Sequence, residues 1–374
     1  MKRKDVFHVY WGTQGNGGLY LDEIYQVLKS VGISQDVFVS YYYPLAYGKK
    51  VFFKYTDLIS GKKRNRLSPC IRYAELTWGL MVTLFYVLIY RPRVVNYSLI
   101  TYGFFVEKLF FRMIRIVSKS TLVLTCHDVL PFQSEYSHGH SAITRMHKTL
   151  AIPDFLLVHN LNSQRDLSSY FGISELKILK HDFPVMDLSK IFDITRPCNK
   201  EFDYLFIGYL RKEKGLDVLL EAWKRFHIRY PDYTLCIAGN LPGYSHLRVD
   251  DYAGLNITFR LQYLSDMEYC KLIYTSKCVV LPYWRGTNSG VVSTIISLGT
   301  DVIASDIPMF KSNPMLDEES LFEAGNVNAL ADKLEEKRYC VSCQKKDIYK
   351  YRLSFNEQVL NVYHKLLGLS LIHI

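Results

Sequence analysis

The residues best suited to chemistry lie in the segment Gly208-Tyr-Leu-Arg-Lys-Glu-Lys-Gly215, between a strand-like run and an amphipathic, helix-like run. Arg211 would offer a forked set of donors and Lys214 a point charge, a combination that suits a diphosphate. The alternative is a solvated run of charges ahead of a helix. Because the apolar strand would aim both cations at a cleft, the segment predicts a diphosphate-binding loop.

A second candidate loop, Arg285-Gly-Thr-Asn-Ser-Gly-Val291, follows the strand-like run Cys278–Pro282 and opens a helix. Asn288 and Ser289 are good N-caps, and Gly290 keeps the approach open. Free amides at such a helix start would bind a second face of the same phosphates. Capping without a ligand is the alternative.

A glycine-rich loop also follows the first strand-like run and precedes the first helix-like one. Its residues Gly15, Asn16, Gly17 and Gly18 would let backbone amides approach a phosphate or a sugar. The spacing differs from the dinucleotide fingerprint Gly-x-Gly-x-x-Gly. A tight turn without a ligand therefore stays open as the other interpretation.

Short apolar runs alternate with helix-sized segments along the chain, a pattern typical of βαβ units and a parallel sheet. A polar, proline-containing stretch at Asp193–Phe202 interrupts the alternation and indicates a linker. We therefore predict an α/β protein with two Rossmann-like, doubly wound domains facing a central cleft, where ligands bind outside the carboxyl ends of the strands. The predicted parts are an N-terminal domain over 1–195, a C-terminal domain over 200–345, a terminal helix over 346–368 packing back toward the N-terminal domain, and a tail over 369–374 that resembles a sequencing read-through artefact.

The segment Phe206–Ala222 resembles the phosphate-binding segment of glycosyltransferase family 4. Members of this family belong to the glycosyl transferases group 1, use sugar nucleotides and have the GT-B fold. The resemblance extends in order and spacing over nearly all of residues 5–367, and its C-terminal half is the more specific. The further matching stretches are Thr125–Pro131, Val158–Asn160, Gly172–Lys177, Cys236–Gly239, Tyr263–Asp266, Leu281–Tyr283, Gly299–Asp306 and Glu323–Ala331.

This resemblance implies that the N-terminal domain is the acceptor side and that the C-terminal domain binds the nucleotide-sugar. It also implies a role for individual residues. His127 would lie near the donor sugar and the reaction centre, and Asp128 would orient it or touch an acceptor hydroxyl. Retaining members lack a dedicated protein nucleophile, so the leaving phosphate is expected to take the acceptor's proton. No metal and no cofactor is expected besides the nucleotide diphosphate-sugar, which is the donor substrate. The implied donor-binding residues are Arg211, Lys214, Tyr263, Leu264, Asn288, Ser289, Gly290, Val291 and Thr294.

Two departures from the family pattern keep other functions open. The family often carries two glutamates separated by seven residues at the donor loop, and Gly286 and Thr294 stand there in this chain. Tyr209 stands where many members have an arginine, and Arg211 is a candidate to supply that charge. A catalytically silent sugar-nucleotide-binding subunit and a GT-B sugar-nucleotide epimerase therefore remain alternatives.

The charge distribution indicates an anionic partner. The chain carries a net charge of +10, and residues 1–120 alone carry 18 Lys and Arg against 7 Asp and Glu. We find no recognised nucleic-acid-binding module, so nucleic acid is not an expected partner. The basic residues interleave with aromatic and aliphatic ones, which favours an anionic lipid surface, while a core-facing helix with a solvated edge is the alternative. The basic set is Lys49, Lys50, Lys54, Lys62, Lys63, Arg64, Arg66, Lys108, Arg112, Arg115 and Lys119, and the apolar set is Tyr41–Tyr43, Phe52, Phe53, Phe104, Phe105, Leu109, Phe110, Met113, Ile114 and Ile116.

The chain is expected to be cytoplasmic and peripheral at the inner face of the plasma membrane. We see no secretory signal, and the eight scattered cysteines suit reduced thiols, with Cys340 and Cys343 a weak candidate for a metal pair. The apolar stretch Leu76–Tyr90 is short for a span, so a buried, an interfacial and a spanning helix all stay open. The expected function is transfer of a sugar to a lipid-linked or polysaccharide acceptor in cell-surface glycan biosynthesis, for exopolysaccharide, capsule or lipopolysaccharide.

Overall fold

A computed structural model of the chain describes most residues of the 374-residue sequence. The described ranges are 3–13, 16–43, 47–55, 68–98, 105–129, 140–195, 199–240, 244, 247–286, 290–338 and 348–369. The expectations placed on Gly15, Asn288 and Ser289, on Lys62, Lys63, Arg64, Arg66 and Phe104, on Cys340 and Cys343, and on 370–374 lie outside them.

The chain divides into two compact units. The N-terminal unit comprises Met1–Phe183 together with Ser354–Ile374, and the C-terminal unit comprises Pro184–Leu353. The boundary thus differs from the predicted one near 195–200. The segment after Phe183 belongs to the C-terminal unit because it bonds to helix residues there: the amide of Met186 donates to Oγ of Ser297 at 3.0 Å, and the hydroxyl of Ser293 donates to the carbonyl of Pro184.

The N-terminal unit is built on a seven-stranded parallel sheet in the order β3-β2-β1-β4-β5-β6-β7. The strands are β1 (Val6–Tyr10), β2 (Gln35–Ser40), β3 (Lys49–Phe52), β4 (Val94–Tyr97), β5 (Thr121–Thr125), β6 (Phe155–Val158) and β7 (Ile178–Lys180). The helices are α1 (Gly17–Ser30), α2 (Ser68–Tyr90), α3 (Phe105–Val117), α4 (His140–Leu150) and α5 (Leu161–Phe171).

The C-terminal unit is built on a six-stranded parallel sheet in the order β10-β9-β8-β11-β12-β13. The strands are β8 (Phe202–Ile207), β9 (Leu235–Ala238), β10 (Ile257–Arg260), β11 (Ser276–Leu281), β12 (Asp301–Ser305) and β13 (Leu321–Phe322). The helices are α6 (Leu216–Arg229), α7 (Asp266–Tyr274), α8 (Gly290–Ser297), α9 (Pro308–Lys311) and α10 (Val327–Lys337). The last helix, α11 (Ile348–Leu367), begins in this unit, and its residues from Ser354 onward belong to the N-terminal unit.

Burial explains why the apolar runs form central strands. Every residue of β1, β4 and β9 is buried, as expected for parallel strands that helices cover on both faces. In the C-terminal unit, Trp223 and Phe226 of α6 pack against Tyr204 of β8, and the indole of Trp223 donates to the carbonyl of Leu255 at 2.8 Å. Each unit therefore has its own apolar core.

Strand order reverses at one point in each sheet. In the N-terminal unit, β1 lies between β2 and β4, and in the C-terminal unit, β8 lies between β9 and β11. The loops after β1 and β8 therefore begin at switch points, where open α/β sheets bind ligands.

The end of α11 packs within the N-terminal unit through buried polar groups. The hydroxyl of Tyr363 accepts a hydrogen bond from Nδ2 of Asn96 at 3.1 Å, and the Oδ1 atom of Asn96 accepts one from Thr125 at 2.8 Å. Asn96 and Tyr363 are fully buried. This connection fixes the last helix to the centre of the sheet.

Tyr363→Phe should lower the free energy of unfolding by about 1–3 kcal/mol, because the buried Nδ2 of Asn96 loses its acceptor. Urea denaturation followed by circular dichroism measures the change. The matched control is Tyr349→Phe on the same helix, where the side chain is 71% exposed and little change is expected. Equal effects of the two substitutions would contradict the assignment.

Candidate functional site

Two loops meet at the switch point of the C-terminal unit, one after β8 and one after β11. The amide of Trp284 donates to the carbonyl of Glu213 at 2.9 Å. A Cβ atom added to Gly215 would lie only 1.9 Å from the carbonyl oxygen of Pro282. The two backbones are thus in direct contact, and Gly215, at φ +70°, has a conformation that favours glycine.

A second close approach fixes the start of the loop. Gly239 follows β9 at φ +126°, and a Cβ atom there would lie 1.8 Å from the carbonyl oxygen of Gly208. The amide of Leu210 also donates to the carbonyl of Asn240 at 2.7 Å. The loop Gly208–Gly215 is therefore held on one side by the β9 end and on the other by the β11 end.

Tyr244 supports this loop from within the unit. Its hydroxyl accepts from the amide of Leu216 at 3.0 Å and donates to the carbonyl of Lys212 at 3.3 Å. The ring of Tyr244 is buried, so these two bonds join the loop to the start of α6 in a water-poor setting.

The structure brings both predicted cations to this loop. The Nζ atom of Lys214 lies 3.7 Å from the centre of the Tyr283 ring, a close cation–π contact. The Nη1 atom of Arg211 lies 3.8 Å from Oε1 of Glu213, and its guanidinium lies 5.1 Å from the ring of Tyr209. Arg211 is thus next to Tyr209, where the resemblance led us to expect an arginine in many related chains, and both cations are half-buried.

Three of the positions discussed for the donor loop, Gly286, Val291 and Thr294, lie in the described residues at and just before α8. Thr294 is buried, and its hydroxyl donates to the carbonyl of Gly290 at 3.1 Å, within its own helix. Val291 is buried as well. A Cβ atom added to Gly286 would lie 2.8 Å from Sδ and Cε of Met309. Thus Met309 occupies the space where a side chain at position 286 would begin.

Tyr263 and Leu264 lie in the turn between β10 and α7, two strands away from β8. A capping box forms this turn, since Ser265 and Glu268 bond reciprocally at the start of α7. Tyr263 is 45% exposed, so its ring is available to a flat ligand. Burial, followed by the nearby charge of Asp266, raises the pKa of the Tyr263 hydroxyl, which keeps it protonated.

In the N-terminal unit, three histidines follow three neighbouring strands. His127 lies after β5, His159 directly after β6 and His181 directly after β7. The Nε2 atom of His159 lies 3.1 Å from Nδ1 of His127, and these two rings stack with centroids 5.1 Å apart. Tyr20 of α1 contacts all three rings, at centroid distances of 4.9 Å to His127 and His159 and 5.7 Å to His181.

Burial keeps this histidine cluster neutral. It lowers the pKa of His127 and of His181 to about 4, and that of His159 well below its ordinary value. The Nδ1 atom of His181 lies 2.8 Å from the carbonyl of Asp182, so Nδ1 carries the proton and Nε2 accepts from the Tyr20 hydroxyl at 3.0 Å. A neutral His127 can donate one hydrogen bond and accept one, and Asp128 beside it is half-buried.

The glycine-rich loop after β1 has a packing role that the sequence did not indicate. A Cβ atom at Gly17 would lie 2.4 Å from the Tyr10 hydroxyl, so the glycine makes room for that ring. The carbonyl of Gly18 accepts from the hydroxyl of Tyr43 at 3.2 Å, and Asn16 precedes α1 as its N-cap residue without a side-chain capping bond.

Sequence reasoning did not single out Tyr20, His159 or His181 as members of one site. The available signal was position, because each histidine comes at the carboxyl end of a strand-like run, where parallel strands place their following residues together. Tyr20 had no such signal, since it lies in the first turn of a helix with other apolar residues.

Within the ranges that the structure describes, no group of three or more His, Cys, Asp or Glu side chains could hold a metal ion. The expected independence from metals stays a prediction.

Comparison with known proteins defines the class. Residues 189–337 match the family model described as "Glycosyl transferases group 1", which covers most of the C-terminal unit and its candidate diphosphate loop. The chain therefore carries a glycosyl transferases group 1 domain and is a glycosyltransferase of GT-B fold. Its narrower resemblance to family 4 stays a prediction. A search of curated proteins finds no match.

Solved structures share the fold over the whole chain at low sequence identity. Sucrose-phosphate synthase from Thermosynechococcus elongatus is 14% identical with a TM-score of 0.59, covering 98% of this chain and 95% of that one. The pneumococcal O-GlcNAc transferase GtfA, solved with UDP and GlcNAc, is 10% identical with a TM-score of 0.65, covering 98% and 99%. The catalytic domain of starch synthase IV from Arabidopsis thaliana, bound to ADP and acarbose, is 11% identical with a TM-score of 0.63, covering 98% and 99%.

The neutral histidine cluster predicts a loss of stability in acid. Because the folded pKa values lie below the ordinary value of 6.5, the unfolded chain binds more protons, and stability falls as the pH drops from about 6.5 toward about 4. Replacing His181 by Gln should reduce the slope of unfolding free energy against pH by about 1.4 kcal/mol per pH unit in this window. Urea denaturation at a series of pH values measures it.

The control is His147→Gln, at an exposed position on α4, which should leave the slope as in the parent chain. An unchanged slope in the His181 variant would show that this imidazole is not held neutral by the fold.

Proposed function

We propose that the chain transfers a sugar from a nucleotide diphosphate-sugar and that the loop Gly208–Gly215 binds the diphosphate. The observation that carries the proposal is the placement of Arg211 and Lys214 on a loop held at the β8/β11 switch point by two backbone contacts that only glycine permits. A forked guanidinium and an ammonium on a rigid loop suit two adjacent phosphates.

The same charges would also perform the catalysis. In transfer, the bond between the sugar's anomeric carbon and the diphosphate oxygen breaks, and negative charge grows on the diphosphate. Cations already in place stabilise that charge without reorganisation. We propose a retaining reaction, in which the acceptor oxygen bonds to the anomeric carbon on the face that the diphosphate leaves, and a phosphate oxygen takes the acceptor's proton.

His127 is proposed to contact the donor sugar or the acceptor. Its Nδ1 atom is engaged by His159, which fixes the ring. A neutral imidazole can hydrogen-bond a sugar hydroxyl without placing a second positive charge beside an electron-poor anomeric carbon. Asp128 is proposed to orient His127 or to contact an acceptor hydroxyl.

The finer features of the function are also proposals. We propose a lipid-linked or polysaccharide acceptor, a role in cell-surface glycan biosynthesis, and a cytoplasmic location at the inner face of the plasma membrane. The basic character of residues 1–120 and the exposed apolar side chains of α2 and α3 support this location.

A catalytically silent sugar-nucleotide-binding subunit is the second candidate. Gly286 supplies no side chain at the donor loop, and the Thr294 hydroxyl bonds within its own helix, so the two positions lack the carboxylates common in the family. Assays of hydrolysis, transfer and isomerisation with a panel of sugar nucleotides separate the candidates. Binding without turnover would favour the silent subunit, and an isomerised sugar formed without acceptor would favour an epimerase.

Lys214→Ala should weaken binding of a nucleoside diphosphate at least about tenfold and abolish transfer, because the ammonium that would contact the phosphates is gone. Calorimetric titration with UDP and ADP measures binding, and circular dichroism checks that the fold persists.

Lys212→Ala is the matched control, since Lys212 is an exposed lysine two residues away in the same loop. It should retain both binding and transfer. The phosphate assignment fails if Lys214→Ala binds and turns over like the parent, or if the two variants lose affinity equally.

A further inference from the structure

Helix α2 exposes a continuous apolar stripe. Its exposed positions recur at alternating steps of three and four residues, the spacing of one helix face. The most exposed large side chains among them are Trp78, Met81 and Phe85, at 64%, 59% and 60%. From the sequence alone, a buried, an interfacial and a membrane-spanning helix were all possible for this segment. The whole stripe is Ile71, Ala74, Trp78, Met81, Phe85 and Leu88.

The opposite face of α2 belongs to the core of the N-terminal unit. Leu76, Leu80 and Val87 are buried there, and a Cβ atom at Gly79 would lie 2.1 Å from the Phe52 ring. The 21-residue stretch Cys70–Tyr90 is long and apolar enough to cross a membrane by length and composition alone. Because one face packs on the protein, the helix is instead suited to lie along an interface with its free face outward.

Helix α3 packs beside α2 and exposes the same kind of surface. Phe105, Leu109 and Ile116 are 68%, 46% and 76% exposed, and Arg112 lies on the same helix face between the last two. By contrast, Phe110 and Ile114 are buried in the core, as are Tyr43, Phe52 and Phe53, so these five are not surface residues as the lipid-facing interpretation expected. The exposed surface is therefore narrower than the sequence suggested and is centred on α2.

The exposed charged side chains of α2 and α3 next to this surface are cationic. Arg112 and Arg115 on α3 and Lys119 just after it are exposed, and the Nη2 atom of Arg115 lies 3.4 Å from Oδ1 of Asp154, with which it forms an ion pair. The two carboxylates in the described parts of α2 and α3 are engaged by the protein: Glu107 is buried and accepts from the Tyr97 hydroxyl at 2.7 Å, and Glu75 accepts from the amide of Tyr55 at 2.6 Å. A surface that is apolar at its centre and cationic at its edge is complementary to an anionic bilayer.

We propose that the exposed faces of α2 and α3 dock the enzyme on an anionic lipid bilayer, with Trp78, Met81 and Phe85 entering the interfacial layer. The docking surface deepens the membrane-side location proposed above and rests on it. A second copy of the chain fits the surface less well, because a symmetric contact would bring the cationic edges of both copies together.

The test is co-sedimentation of the full chain with vesicles of phosphatidylcholine alone or mixed with phosphatidylglycerol. The parent chain should bind the mixed vesicles, and added salt should weaken binding because the cationic edge is screened. The double variant Met81→Asp with Phe85→Asp should bind at least about tenfold more weakly, since two charges would have to enter the interfacial layer. Quenching of Trp78 fluorescence by brominated lipid reports insertion, and Trp78→Phe removes that signal.

The matched control is Ile228→Asp, at an 81% exposed apolar position on α6 of the C-terminal unit, which should bind vesicles like the parent. Vesicle binding that is unaffected by the double variant, or a parent chain that ignores mixed vesicles, overturns the docking surface. A parent dimer that the double variant makes monomeric, without vesicle binding, would assign the face to a second copy and overturn it too. If the docking surface is wrong, transfer to a water-soluble acceptor is still expected. If the proposed transfer activity is wrong, vesicle binding is still expected but no transfer is measured.

Discussion

The contact between two backbones at Gly215 and Pro282 is the constraint on which the candidate diphosphate site depends. A Cβ atom at Gly215 would lie 1.9 Å from the carbonyl oxygen of Pro282, far closer than van der Waals contact allows, and the residue also has a positive φ. Alanine at that position would push the β8 loop away from the β11 end, and Lys214 would leave the face of Tyr283. The position of the cations is therefore set by a packed backbone contact, and this rigidity is what electrostatic catalysis requires.

The candidate sites of the two units differ in charge and burial. The C-terminal unit places half-buried cations on a fixed loop, whereas the N-terminal unit buries three imidazoles that burial keeps neutral. Both arrangements lie at the carboxyl ends of parallel strands, because the residues that follow neighbouring parallel strands meet at the same edge of the sheet. The cost of the second arrangement is sensitivity to acid, because each neutral histidine favours the unfolded, protonated chain as the pH falls.

The sequence predicted most of the fold, because strand-like runs such as Leu235–Ala238 are apolar throughout, Val6–Tyr10 is apolar except for His8, and central parallel strands are buried on both faces. It also predicted the loop after β8, whose glycines and cations are local features. It could not place Tyr20 against His127, His159 and His181, because that contact joins elements far apart in the chain. Nor could it show that Thr294 bonds within its own helix or that Gly17 makes room for Tyr10, since both depend on side-chain direction.

The most direct measurement is a crystal structure of the chain grown with a nucleoside diphosphate. The account predicts that phosphate oxygens lie within hydrogen-bonding distance of the guanidinium of Arg211 and the ammonium of Lys214, with the Gly215–Pro282 contact unchanged. A diphosphate bound elsewhere, with both of these side chains directed into solvent, would contradict it.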